Sequence, residues 1–212
     1  METTTVPPSP SPSAYPVTFS VEYPERQLNR LTTFFRAFTV IPIGILVSLL
    51  PGGTVAALGA VFSTGSLVVF PVVLMLLFRK KYPRWWFDWN LELVRFSNRI
   101  GVYAALMDDR YPSTDERQAV QLDYSDPDPE RLERGLPLVK WLLAIPHYVV
   151  LAFLYIGVVF AVIGAWFAIL FTGRYPRGIF TFVEGVFRWG NRVYGYAFTL
   201  ITDEYPPFRL KP

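Results

Sequence analysis

The segment from Trp141 to Gly173 constrains the fold more than any other part of the chain. It contains thirty-three residues without a formal charge, including one proline and one histidine. A helical span needs about 20 apolar residues to cross a bilayer, so one straight helix of this length would overshoot the hydrocarbon core by roughly 20 Å. Extension back to Leu136 gives enough length for two spans with a turn near Tyr155–Gly157, and Lys140 would then extend its ammonium group to the membrane surface. The pattern predicts a transmembrane helical hairpin in an integral membrane protein.

The composition supports this interpretation and excludes several kinds of chemistry. Hydrophobic residues make up 52% of the chain, charged residues 17%, and the mean hydropathy is +0.30, whereas soluble domains carry about 25% charged residues. There is no cysteine, which excludes disulfides, thiolate catalysis and cysteine-ligated metals. The net charge of +3 gives no argument for nucleic acid as a partner. No cofactor and no metal site are expected.

A second uncharged run, from Ala37 to Phe78, is forty-two residues long. Pro51–Gly53 interrupts it with residues that favour a turn, so this run also predicts a hairpin of two spans. Before it, residues 15–22 alternate between apolar and polar side chains, which is the period of a half-buried strand. Residues 1–14 are rich in proline and serine and predict a disordered tail.

The chain also repeats itself. Tyr82–Ala104 aligns with Tyr175–Ala197 at a constant offset of 93, with nine identities in twenty-three ungapped positions. Such self-similarity predicts a tandem duplication. We expect a first membrane repeat over residues 15–112, a linker over 113–118 and a second membrane repeat over 119–212.

Each repeat has the same predicted order of elements: a strand, a helix, a transmembrane hairpin, an amphipathic helix on the bilayer surface and a second strand. In the first repeat the amphipathic helix covers Trp85–Ile100, with aromatic side chains on one face and mixed charge on another. Tyr103–Met107 and Ala119–Tyr124 are expected to be strands, and the four strands of the two repeats would form one small cytoplasmic β-sheet. The predicted fold class is therefore a mainly α-helical integral membrane protein of two tandem repeats.

The distribution of basic residues predicts the topology. The expected hairpin tips, Leu50–Ala57 and Leu154–Val158, contain no lysine or arginine. Because cytoplasmic loops carry the excess of basic residues, we expect a multi-pass protein of the cell membrane with both termini in the cytoplasm. One long kinked span per repeat is the alternative, but it would place the basic residues after Gly173 on the far side.

Repeated basic residues are the candidate binding site. Arg95, Asn98 and Arg99 share one helical face, because they are spaced at i, i+3 and i+4. Their counterparts and the arginines of two Tyr-Pro-Arg turns complete the set, which is Arg84, Arg95, Asn98, Arg99, Arg177, Arg188, Asn191 and Arg192. Arginine forks at a membrane surface can hold lipid phosphates or a protein partner. The alternative is ion pairing with nearby acidic residues, namely Asp88, Glu92 and Glu184.

The single histidine, His147, follows Pro146 within the long apolar segment. An ionisable residue at membrane depth suggests a proton relay or a ligand. However, neither apolar run offers an acid, a thiol or a second histidine to work with it, and a zinc site needs at least three protein ligands. We expect a hydrogen-bonded structural histidine, no catalytic residue and no metal.

Four sequence segments resemble a known family. They are YPVTFSVEYPER, GLPLVKWLLAIPHYVVLAFLYIG, LFTGRYPRG and FRWGNRVYGYAFTLITDEYPPF, and they are similar to the bacterial membrane family catalogued as domain of unknown function 4389. The resemblance extends over both repeats and is strongest in the second. It implies a membrane protein and brings no activity with it.

Two classes of function agree with these observations. We expect a non-enzymatic membrane protein that acts as a scaffold, an assembly factor or an accessory subunit of a membrane complex, with anionic lipids and other membrane subunits as partners. The alternative is a small transporter or channel with its path between the two hairpins. A lipid-modifying enzyme is disfavoured because no nucleophile–base pair is present.

Overall fold

A computed structural model describes residues 15–49, 84–114, 118–127, 132–133 and 135–212. Its elements, in chain order, are β1 (Val17–Val21), α1 (Arg30–Leu49), α2 (Arg84–Ala104), β2 (Val120–Tyr124), a 3₁₀ turn (Leu136–Leu138), α3 (Lys140–Leu143), α4 (Ile145–Thr172) and α5 (Arg177–Ala197). The predicted tail over 1–14 and the turn at Pro51–Gly53 lie outside the described residues.

The predicted second hairpin is wrong, because α4 is one continuous helix of 28 residues. Pro146 occupies its first turn, where a missing N–H costs nothing, and Gly173 ends it in the left-handed conformation with φ 74°. Nothing between these positions breaks a helix: at the expected turn, Gly157 instead packs closely against the Phe182 ring of α5. The helix therefore continues through the segment that was expected to reverse direction.

The predicted multi-span fold class is consequently also wrong for the described part of the chain. There, α4 is the one helix long and apolar enough to cross a membrane by length and composition. At about 1.5 Å per residue it is about 42 Å long, which exceeds the roughly 30 Å hydrocarbon core of a bilayer. The described residues form a mixed structure of helices and a small sheet.

The sheet is smaller than expected. β1 and β2 pair antiparallel and form a two-stranded sheet, in which Phe19 lies opposite Leu122. The strand expected at Tyr103–Met107 is wrong, because α2 continues to Ala104 and the chain then turns with Leu106 at φ 64°. The apolar residues of this segment are compatible with either a strand or the end of a helix. The hydrogen bond from the Met107 N–H to the Val102 carbonyl (3.0 Å) shows that the segment ends the helix.

The second amphipathic helix, α5, is the centre of the core. Thirteen of its residues are buried, and it packs against both α4 and β1. Contact with the sheet is close because Gly195 faces the strand: a Cβ atom there would lie 2.8 Å from the Val17 Cγ2 atom. The apolar face that was assigned to lipid is therefore used to build the protein interior.

Asn29 fixes the start of α1. Its side-chain oxygen accepts hydrogen bonds from the backbone N–H groups of Leu31 (2.9 Å) and Thr32 (3.4 Å), which is N-capping. The helix predicted between the first strand and the first hairpin thus starts at Arg30 and continues to Leu49.

Several contacts recur in the two halves of the chain. Asn98 and Asn191, 93 residues apart, exchange two side-chain hydrogen bonds of 2.8 Å. The Arg95 Nε atom donates to the Leu122 carbonyl and the Arg188 Nε atom donates to the Phe19 carbonyl, each at 2.8 Å. Phe19 and Leu122 are also opposite each other in the sheet. The contact of α2 with β2 is therefore equivalent to the contact of α5 with β1.

Candidate functional site

The outer face of α4 is a continuous apolar surface. One stripe of the helix, formed by His147, Leu151, Val158, Ala165 and Ile169, is buried. On other parts of the helix Phe153, Phe160 and Phe171 are 71%, 70% and 79% exposed. Only 17% of the most apolar 18-residue stretch of α4 is buried. This helix is therefore unlike the core helix of a soluble domain, whose apolar residues are covered.

Helix α1 adds to this surface. Phe34 of α1 stacks on Trp166 of α4 with ring centroids 6.2 Å apart, and the Trp166 indole N–H donates to the Thr33 carbonyl (3.2 Å). The exposed apolar side chains of α1 are Leu31, Phe34, Phe35, Phe38, Ile41 and Ile45. We call the exposed apolar residues of α1 and α4 together the apolar surface.

The first predicted arginine face is engaged within the protein. Besides its bond to β2, Arg95 pairs with Glu92 and Asp123, each at 2.6 Å. Arg99 donates to the Ser113 and Thr114 carbonyls. Asn98 holds the opposite helix through Asn191, as described above. These side chains therefore connect α2 to β2 and to the loop that follows α2.

The second face, on α5, is more deeply buried. Arg188 donates to the Leu210 carbonyl (3.0 Å) and pairs with Glu184 at 2.6 Å. Arg192, only 3% exposed, donates to the backbone carbonyls of Arg209 (3.4 Å) and Lys211 (3.1 Å). The C-terminal segment is thereby held across α5.

The two remaining predicted arginines, Arg84 and Arg177, are largely exposed. Arg84 lies 3.0 Å from Asp126, and Arg177 lies 3.8 Å from Glu25 with its guanidinium 4.6 Å from the centre of the Tyr23 ring. Exposed pairs of this type contribute little to stability, so these guanidinium groups can exchange their partners for another anion. The predicted residues are thus distributed over three environments and do not form one patch.

A cleft of about 400 Å³ lies between β1, α5 and the C-terminal segment. Arg188, Arg192 and Arg209 line it, together with the hydroxyl-bearing residues Thr18 and Ser20. Burial lowers the pKa of Arg192, and the neighbouring positive charges of Arg209 and Arg188 lower it further. The cleft is therefore a site of concentrated positive charge.

The part of the chain that forms α4, α5 and the C-terminal segment is also the part that a family model matches. Residues 137–209 match the family model described as domain of unknown function 4389. This match covers about a third of the chain and a single copy, so the expectation that the family covers both halves is met only in the second. No curated protein and no solved structure matches the chain.

Within the segment matching family 4389, His147 is a buried packing residue. Its Nδ1 atom accepts a hydrogen bond from the Trp189 indole N–H (3.0 Å), and its ring stacks on Phe208 with centroids 3.9 Å apart. Its Nε2 atom has no hydrogen-bond partner among the described residues. In the described ranges, no group of three or more histidine, cysteine or acidic residues is placed to hold a metal ion.

Lys140 does not reach the membrane surface as expected. It is fully buried, its ammonium group lies 2.6 Å from an Asp203 carboxylate oxygen, and it donates to the Thr202 carbonyl (2.7 Å). It also lies 5.2 Å from the centre of the Tyr196 ring. Burial lowers the pKa of Lys140, while Asp203 acts in the opposite direction.

Arg36 has the corresponding environment in the first half. It is buried, donates to the Asp108 carbonyl (2.6 Å), pairs with the Asp109 carboxylate and lies 4.3 Å from the centre of the Tyr103 ring. Sequence reasoning missed both buried cations. The available signal was an isolated positive charge at the edge of each apolar run, with an acidic residue after the following amphipathic helix.

Proposed function

We propose that this protein is a membrane-bound, non-enzymatic scaffold or accessory subunit whose apolar surface contacts lipid. The observation that carries the proposal is the exposure of large apolar side chains along α4 and α1. Soluble monomers rarely expose contiguous apolar patches of more than a few hundred Å². A bilayer covers such a surface without any further protein chain.

The arrangement of α4 supports lipid as the occupant of this surface. One side of α4 is fixed against α5 by its buried stripe, so the helix cannot rotate to bury the exposed phenylalanines. Its length and composition are those of a transmembrane helix. The exposed Trp141, just before α4, has the amphipathic character that suits a membrane–water interface.

We also propose that the two halves are diverged copies of one ancestral unit. The reciprocal asparagine pair and the exchanged arginine contacts support this. The two buried cations support it too, since each binds a carbonyl, a carboxylate and a tyrosine ring at corresponding positions. A chain built in this way gives a rigid, two-sided platform, which is suited to holding other membrane subunits.

Anionic lipid contacts belong to this proposal through Arg84 and Arg177, whose side chains are exposed. A basic residue near an anionic membrane surface contributes about 1 kcal/mol. The cell membrane is therefore the proposed location.

The test is membrane retention of the full chain after alkaline extraction of membranes from the expressing cell. We expect the unmodified protein to remain in the membrane and a Phe153→Glu/Phe160→Glu variant to be released. A charged residue at the centre of a membrane helix costs about 3 kcal/mol. The control is Gln121→Glu/Ser125→Glu, which adds the same charge at exposed positions outside the apolar surface.

Three results would count against the proposal. The first is release of the unmodified protein by alkali. The second is equal retention of the two variants, which would show that the apolar surface does not contact lipid. The third is a well-folded, monodisperse monomer in detergent-free buffer, because lipid would then not be needed to cover α4.

A further inference from the structure

We propose that the cleft lined by Arg188, Arg192, Arg209, Thr18 and Ser20 binds the phosphate group of a small organic phosphate. This inference does not depend on the proposed scaffold function. It rests on the cleft itself and on a comparison between the two halves of the chain.

The donors in the cleft suit a phosphate. Arg188 and Arg192 are both more than nine-tenths buried, so their side chains are held in place before any ligand arrives. Thr18 and Ser20 lie on the outward face of β1 and add two hydroxyl groups to the lining. Guanidinium groups make short, strong, directional hydrogen bonds with phosphate oxygens.

Positive charge in the cleft exceeds the negative charge that pairs with it. Glu184 pairs with Arg188. Among the described carboxylates, however, none forms an ion pair with Arg192 or Arg209, and the Arg192 Nε atom has no hydrogen-bond partner there. The lowered pKa of Arg192 arises partly from repulsion by its two arginine neighbours. A bound dianion would remove this repulsion.

The first half of the chain shows what happens when the anion is built in. Arg95 corresponds to Arg188, and it pairs at 2.6 Å with Asp123 on strand β2. The position on β1 that corresponds to Asp123 is Ser20, since each is the residue after the one whose carbonyl accepts the arginine Nε bond. The second half therefore has an uncharged residue where the first has a carboxylate, and an external anion can take its place.

The size of the cleft indicates the class of ligand. Sites for small molecules occupy about 300–1,000 Å³, and this cleft, at about 400 Å³, is at the lower end of that range. It is larger than a bare phosphate ion requires. A phosphate ester with a small alcohol fits, either as a free metabolite or as the head group of a phospholipid.

The test is calorimetric titration of the full chain in a non-ionic detergent at low ionic strength. The probes are inorganic phosphate, glycerol 3-phosphate, and phosphatidylglycerol in mixed micelles with the same detergent. We expect saturable binding of glycerol 3-phosphate, with weaker binding of inorganic phosphate. Ser20→Asp should weaken binding about ten- to a hundredfold, because its carboxylate competes for the same charge-assisted hydrogen bonds. Ser125→Asp, outside the cleft, is the matched control and should bind as the unmodified protein does.

Two further measurements keep the result interpretable. The thermal midpoint of Ser20→Asp should equal or exceed that of the unmodified protein, because the new carboxylate relieves repulsion among the arginines. Arg209→Gln removes an exposed guanidinium without disturbing the core, and it should also weaken binding. Saturable binding of phosphatidylglycerol alone would identify the source as a lipid head group, and binding of glycerol 3-phosphate would identify a free ester. The proposal is overturned if no probe binds saturably, or if Ser20→Asp and Arg209→Gln both bind as tightly as the unmodified protein.

Discussion

The reciprocal pair of Asn98 and Asn191 gives the sharpest test of how the two halves are joined. Each amide donates to the other at 2.8 Å, and each also donates to a carbonyl one helical turn earlier. A net contribution of about 1 kcal/mol per hydrogen bond gives about 2 kcal/mol for the pair. A single change to alanine also leaves the partner amide with unmet hydrogen bonds in a largely buried place, which costs about 1–3 kcal/mol.

We therefore expect Asn98→Ala and Asn191→Ala each to lower the free energy of unfolding by about 2–3 kcal/mol. The double variant should lose about 1–2 kcal/mol less than the sum of the single variants, because the second change removes a partner that is already unpaired. The assay is urea unfolding in detergent followed by tryptophan fluorescence and circular dichroism.

A control cycle uses Asn29, which caps α1 and makes no contact with the pair. Asn29→Ala should cost about 1 kcal/mol and should combine additively with Asn191→Ala, within about 0.5 kcal/mol. If the cycle between Asn98 and Asn191 is equally additive, the two amides do not stabilise each other. The proposed joining of the halves through this pair would then be refuted.

Three further predictions follow from individual contacts. Gly195→Ala should destabilise the protein by about 1–3 kcal/mol through overpacking against β1. Gly178 has open space around it, so Gly178→Ala should stabilise the protein by about 0.5–1 kcal/mol. The thermal midpoints of the two variants should therefore move in opposite directions. His147→Phe should lower the unfolding free energy by about 1–3 kcal/mol, because the buried Trp189 indole N–H loses its hydrogen-bond acceptor. Membrane retention and complex formation should stay unchanged. A loss of either property at an unchanged protein level would show that the histidine is functional. Burial lowers the pKa of Lys140 in the folded protein, so the unfolded chain keeps the Lys140 proton to higher pH than the folded chain does. The free energy of unfolding should therefore rise as pH increases from the folded pKa toward about 10.4. This rise should be visible when the unfolding free energy of Lys140→Met is subtracted from that of the unmodified protein at each pH, and a difference that does not change with pH would contradict it.

Much of the local structure could be predicted from the sequence. The strands at Val17–Val21 and Val120–Tyr124 follow from alternation of apolar and polar residues, and the helical character of α2 and α5 follows from their period. The similarity of these two helices follows from the identical residues that recur at a constant offset of 93. Asn98 and Asn191, which are one such pair, are hydrogen-bonded to each other. These features were predictable because they depend on neighbours within a few residues, or on a direct comparison of two segments.

The candidate site was predictable only as a list of residues. Arg188 and Arg192 line a cleft, but Arg209, Thr18 and Ser20 were not among the candidates, since they come from the C-terminal segment and from β1. The role of Arg95 depends on Asp123, 28 residues away, and the role of Arg188 depends on Phe19, 169 residues away. Spacing on one helix identifies which arginines share a face. It does not identify what lies opposite that face.

The sequence by itself determined that this chain has a long uncharged apolar segment, no cysteine and two similar amphipathic helices. Only the tertiary structure decided whether residues 141–173 turn or continue, because no strong helix breaker lies between Pro146 and Gly173 and the packing of Gly157 against Phe182 favours a straight helix. Tertiary structure also decided that Lys140 is buried: its free energy depends on Asp203 and on the Thr202 carbonyl, 62 residues later in the chain. Local patterns fix backbone preferences that amount to fractions of a kcal/mol per residue. The burial and pairing of a charge involve several kcal/mol and depend on residues that are distant in sequence.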